Sequence, residues 1–123
     1  MKRFATTKKH FDVFQKHVAA TVVFFGLHQF DVRVLHEKID GRAACQMMCL
    51  HGVAVVRLNT VWDVPVTDEL LRSTAQHEVC HVLLGNLHEL AYQRHCTGDD
   101  IYRAEEECAN LLVNAIFVKR ATK

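Results

Sequence analysis

The five residues His77-Glu78-Val79-Cys80-His81 constrain this chain more than any others. They read H-E-x-x-H, a pattern that makes chemical sense only in a helix. Residues four apart in a helix lie one above the other on the same face, so His77 and His81 can each offer a ring nitrogen to one metal ion. Glu78 lies about 100° round the helix from His77, which sets its carboxylate beside such an ion and within reach of a water. Two neutral ligands, an adjacent base and open positions are the parts of a zinc hydrolase site.

The flanking sequence supports a helix. After Pro65, Thr67 is placed as N-cap, with Asp68 and Glu69 in a first turn where the helix dipole favours negative charge. Leu70, Leu71, Ala75, Val79, Val82 and Leu83 cover most of the circumference. Thr74, His77, Glu78, His81 and Gly85 leave a polar wedge. Unpartnered polar groups on a buried helix are costly, and a metal ion would partner them. The bland alternative is a pair of core histidines bonded to backbone.

A zinc site of this kind calls for a third protein ligand. His88 stands seven residues after His81, one residue off the H-E-x-x-H-x-x-G-x-x-H spacing. In an unbroken helix that is about 10 Å along the axis, too far to share an ion. His88 could reach only if the chain broke at Gly85, and His95 is farther still. A carboxylate on a following helix is the better candidate. Ile101, Ala104, Cys108, Leu111, Leu112, Ala115 and Ile116 recur at helical spacing over residues 101–118, with Asp99 or Asp100 available to cap the start. On this phase Glu105 falls near the centre of the apolar stripe, Glu106 at its edge, and Glu107 with Arg103, Asn110 and Asn114 on the solvent side. Phase alone leaves Glu105 and Glu106 both open.

The chain resembles a small gluzincin, the class of zinc metallopeptidase that includes thermolysin. There H-E-x-x-H is followed by a helix bearing E-x-x-S/A-D/N, and Glu106-Glu107-Cys108-Ala109-Asn110 matches E-x-x-A-N. It is also similar to the small phage and mobile-element metallopeptidases that act on repressors. The likeness spans about residues 53–117. It implies Glu106 as third ligand beside His77 and His81, Glu78 as general base and Zn2+ as cofactor. It also implies a peptide or protein substrate and hydrolysis of peptide bonds, in the cytoplasm of a bacterial host if phage-encoded. A non-catalytic regulatory or protein-binding module of a phage or mobile element is the alternative.

The remaining sequence is read as one domain, residues 1–123, of α+β class. Half the residues are hydrophobic, enough for a core without disulfides. The formal charge of +1, with acids and bases interspersed, gives no electrostatic footprint for nucleic acid. No segment has the length of a membrane span or the pattern of a leader peptide. Five cysteines without a C-x-x-C pair suggest reduced thiols in a cytoplasm.

A first helix is expected over residues 7–25, with Phe11, Phe14, Val18, Val22 and Phe25 on one face and Gly26 at its end. Residues 30–39 alternate as a strand. Asp40-Gly41 predicts a hairpin turn into a return strand over 42–50, and His51-Gly52 a second turn into a third strand over 53–59. The expected layout is minimal zincin-like: an N-terminal helix, a mainly antiparallel three-stranded meander, the H-E-x-x-H helix and a ligand-bearing C-terminal helix. By resemblance, residues 53–59 would offer an edge to an extended peptide.

Overall fold

Thr7 fixes where the first helix starts. Its backbone is extended, its hydroxyl accepts the His10 N–H at 3.2 Å, and the His10 ring accepts the Thr7 N–H at 3.0 Å. This reciprocal cap satisfies two donors that a helix start otherwise leaves unpaired. The helix, α1 (Lys8–Phe25), ends at Gly26 as expected. Phe14 and Val18 are buried, and Phe11, Val22 and Phe25 pack against the same core. The computed structural model describes residues 2–118. It is an α+β arrangement that continues with β2 (Asp31–His36), β3 (Ala43–Met48), β4 (Val53–Leu58), β5 (Val61–Trp62), α2 (Asp68–Leu83), α3 (Gly85–Ala91) and α4 (Gly98–Val113), and β1 (Phe4–Ala5) precedes α1.

The three longer strands do not form a meander. Their order is β2-β4-β3, with β2 parallel to β4 (Asp31↔Val53 to His36↔Leu58) and β3 antiparallel to it (Ala43↔Leu58 to Met48↔Val53). The sheet is therefore mixed, and β4 lies at its centre with no free edge. Burial explains the order. Ala54, Val55, Val56 and Leu58 are all buried, so β4 is covered on both faces. Strands of that kind read as unbroken apolar runs and occupy sheet centres. In β2, half-buried residues alternate with exposed ones, as suits an edge. The edges belong to β2 and β3, and the expectation of an open edge at residues 53–59 is corrected accordingly.

Asp40-Gly41 is likewise not a two-residue hairpin, because β2 and β3 do not pair. Residues 37–42 instead cross over the end of β4, and Asn59 clamps this crossing. Its side-chain oxygen accepts the Ile39 and Val61 N–H groups, its amide donates to the Gly41 carbonyl, and its own N–H donates to the Arg42 carbonyl at 2.9 Å. The hairpin of this sheet joins β3 to β4 through a single 3-10 turn (Cys49–His51) and Gly52, whose φ of +67° only glycine adopts freely. The turn expected at His51-Gly52 is present.

A second, two-stranded sheet pairs β1 with β5, Phe4 opposite Trp62. It ties the start of the chain to the segment that leads into α2. Thr6 completes the tie: its buried hydroxyl donates to the Asn59 carbonyl and lies 2.7 Å from His36 Nε2. Trp62 is fully buried, and its indole N–H donates to the Arg42 carbonyl at 3.1 Å.

The core lies between α1, α2 and the sheet. Phe14, Val18 and Leu27 meet Val56, Leu58 and Trp62 from the strands and Leu71, Ala75, Val79 and Val82 from α2. Beyond α2 the chain pauses at Leu84 (φ −87°, ψ 0°) and resumes as α3. Gly85 is buried at this junction. A Cβ there would stand 2.5 Å from Met47 Cε, so glycine lets the helix and β3 approach closely. Thr97, not Asp99 or Asp100, caps α4, with Asp100 closing a reciprocal cap from the third helical position. Ala104, Cys108 and Ala115 turn inward, and the Cys108 thiol meets the Leu83 carbonyl at 3.4 Å. Among the described residues no helix is long and apolar enough to cross a membrane.

Candidate metal centre

The helix that carries the motif begins where the sequence placed it. Thr67 is extended and its hydroxyl accepts the Leu70 N–H at 3.1 Å, with Asp68 and Glu69 in the first turn. From that start, α2 buries Leu71, Ala75, Val79 and Val82, and the same phase leaves His77 and His81 on the outer side. Their rings stand one turn apart, centroids 5.0 Å, edge to face at 82°. Glu78 lies between this pair and the core and is only 5% exposed.

One ligand atom from each of His77, Glu78 and His81 lies within 4.8 Å of the others. Among the described residues no other histidine, cysteine or acid joins them at that range. Glu78 Oε2 is buried and has no hydrogen-bond partner among the described residues. Burial pushes the Glu78 carboxyl above its ordinary range, and His81 and then His77 pull it partly back. An unpaired buried carboxylate oxygen is a costly group to leave alone. Together with the two imidazoles it forms a donor set that could hold a divalent metal ion.

The strand facing this cluster is β3. Cys45 lies within Coulombic range of Glu78, and its thiol is pushed up to about 12, first by burial, then by Glu78 and Cys49. All five cysteines are free, so none is spent on a disulfide. A cleft of about 740 Å3 opens against α2, lined along the helix by Leu70, Ser73, Thr74, His77 and Glu78 and opposite by Ala43, Val61 and Trp62.

The acids of α4 are arranged differently from the expectation. Glu105 and Glu106 are both exposed and do not join the cluster. Glu107, expected toward solvent, turns inward: it accepts the Asn86 amide at 3.1 Å and the Gln29 amide at 3.2 Å. The reason is the helix's docking stripe. α4 turns the small residues Ala104 and Cys108 inward, as the chain does with Ala115 just past its end, and Glu107 shares that side. Ile101, Leu112 and Ile116, counted toward the stripe in the sequence, are left partly exposed. His88 packs on Tyr92, centroids 4.9 Å, and neither it nor His95 joins the cluster.

Sequence reasoning missed the rest of the cleft. Arg3, Arg42, Asn59, Trp62 and Asp63 reach it from β1, the crossing loop and β5. A two-residue strand leaves no periodic signal, and only the tertiary pairing of β1 with β5 brings Arg3 there. Comparison with models of protein families, with curated proteins and with solved structures finds no match for this chain. Fold and site together define an α+β protein whose motif helix carries a His-Glu-His cluster able to hold a metal.

Proposed function

We propose that this chain is a zinc-dependent metallopeptidase of minimal zincin-like plan. The observation that carries the reading is the cluster itself: two imidazoles one turn apart, with the buried, unpartnered oxygen of Glu78 beside them at the mouth of a cleft. Imidazole and carboxylate donors suit zinc. His77 and His81 would hold the ion; Glu106, which the E-x-x-A-N match implies as third ligand, is exposed outside the cluster and would have to be brought to it by a turn of α4.

A bound divalent ion supplies Lewis acidity, which brings the pKa of a water toward ~7 and polarises a carbonyl. Glu78 then acts as general base. It takes a proton from the water as the water adds to the peptide carbonyl, and returns that proton to the leaving amine. Trp62, Val61 and Leu70 give the cleft an apolar wall against which a peptide can lie. Five free thiols fit a reducing compartment, and we assign the protein to the cytoplasm, that of a bacterial host if it is phage-encoded.

Metal content per chain and turnover of a peptide library test the proposal together. Wild type should carry about one zinc. Glu78→Gln should keep the metal and lose at least ~100-fold in rate, the usual weight of a general base. Glu106→Ala should lose zinc, and Glu105→Ala should keep it. Cation-free wild type that ignores both chelator and added zinc sinks the metal assignment. A metal-loaded protein with no turnover favours the second reading, a non-catalytic binding module, to which the exposed Ile101, Leu112 and Val113 of α4 and Ile116 just beyond it lend support.

A further inference from the structure

The cleft beside the cluster also has a charge pattern. Leu70 and Glu78 both line it and stand eight residues apart on α2, about 12 Å at 1.5 Å per residue. That matches three to four residues of extended peptide at about 3.3 Å each. His77 and Glu78 occupy the C-terminal end of this helical wall. Arg3, Arg42 and Asp63 enter from the other walls.

Backbone pairing holds both arginines where they are. Phe4 lies opposite Trp62 in the antiparallel β1–β5 pair, which sets Arg3 level with Asp63. The Arg42 carbonyl accepts two donors, the Asn59 N–H and the Trp62 indole. Its guanidinium is left to face outward, where Nε meets Asp63 Oδ1 at 3.2 Å. That pair is solvent-exposed and weak. Arg3 forms no ion pair among the described residues. Glu78 also lines the cleft and balances the overall count, so the excess is local: at the rim two guanidiniums face the single carboxylate of Asp63, while Glu78 is buried, and the planar guanidinium fork matches a carboxylate in shape as well as charge.

Arg3 and Arg42 line the same cleft as Glu78, with Arg42 in the bend just before β3. We propose that the cleft selects peptides bearing a carboxylate, anchored by Arg3 and Arg42 while another part of the same peptide presents a bond to Glu78. The position of that bond rests on the peptidase reading; the carboxylate anchor does not.

Because the single tryptophan, Trp62, is fully buried behind the cleft, occupancy is read by titration calorimetry, which needs no turnover. The experiment titrates Glu78→Gln protein with four hexapeptides of one core sequence. They carry a free C-terminal carboxylate or an amide, each with an internal Glu or Gln. The expected result is at least about tenfold tighter binding for one carboxylate source over its neutral twin, a margin reached with one charge-assisted bond. The peptide pairs tell a terminal carboxylate from a side-chain one. The preference should shrink in Arg3→Gln and in Arg42→Gln, vanish in the double variant and weaken as salt rises, with thermal unfolding of the variants unchanged. Equal affinity for all four peptides, no binding at all, or a preference that survives in the double variant overturns the proposal. Carboxylate preference in a protein that hydrolyses nothing refutes only the peptidase reading, and hydrolysis indifferent to the carboxylate refutes only the anchor.

Discussion

Asn59 and Cys45 show how single residues set this structure. Asn59 is buried, and its side chain alone bonds three backbone groups, two in the crossing loop and one in β5. Replacing it with alanine strands the Gly41 carbonyl and the Ile39 and Val61 N–H groups. Urea unfolding of Asn59→Ala should register a loss of about 2 kcal/mol, the scale for buried groups left without partners. Cys45 makes a prediction about pH. Its thiol is pushed up from 9.0 to about 12 by burial and by the nearby Glu78 and Cys49. Below pH 9 both folded and unfolded chains keep this proton, so the group has no effect on stability. Above it the unfolded chain ionises first, and stability drains away as pH rises from 9 toward 12. The same shift keeps the folded thiol protonated at pH 8, so mass-spectrometric alkylation should label Cys45 quickly only after denaturation. Fast labelling of native protein at that residue contradicts the burial described here. Neither role was legible in the sequence. An asparagine after a strand and a cysteine within one are unremarkable until the sheet order is known.

At the scale of elements, the starts of α1 and α2 were legible, whereas the cap of α4 at Thr97 and the docking of that helix were not. Thr67 and the turn after it are local chemistry, so α2 begins as expected and His77 and His81 fall on one face by helical period alone. The phase of α4 was misread because its stripe mixes small and large apolar residues. The body accepts the small ones, Ala104, Cys108 and Ala115, and that choice rotates Glu107 inward and Glu105 and Glu106 outward. The α2–α3 junction offers a sharper test of such contacts. In Gly85→Ala the new methyl meets Met47 Cε, with Met47 Cγ and Sδ close behind. Helix propensity favours alanine there by about 1 kcal/mol, and overpacking opposes it by about 1–3 kcal/mol. Gly85→Ala should therefore destabilise by roughly 1 kcal/mol, the difference of those terms. In a Met47→Ala background the same change should stabilise, since only the propensity term is left. A double-mutant cycle with no coupling between the two positions means that they do not touch.

For the molecule as a whole, metal binding and folding should be linked. An ion that binds the folded chain and not the unfolded one stabilises it by about 2.7 kcal/mol at a free concentration a hundredfold above its Kd. Thermal unfolding should shift upward with added zinc and return with chelator, and His77→Ala with His81→Ala should abolish the response. A zinc-dependent shift that persists in that double variant would place the ion elsewhere. What the sequence determined by itself is what local geometry dictates. The i, i+4 histidines, the caps at Thr7 and Thr67 and the turn at Gly52 depend on residues within a few positions of one another. The tertiary structure decided everything that required distant segments to choose partners. β4 went to the sheet centre because both its faces had apolar cover to gain. β1 reached across the chain to β5 and carried Arg3 with it. α4 settled on its smallest residues. Sequence period records which side of an element is apolar, but not which neighbour will cover it, because burial free energy is non-directional and rewards any complementary surface that the rest of the chain can bring.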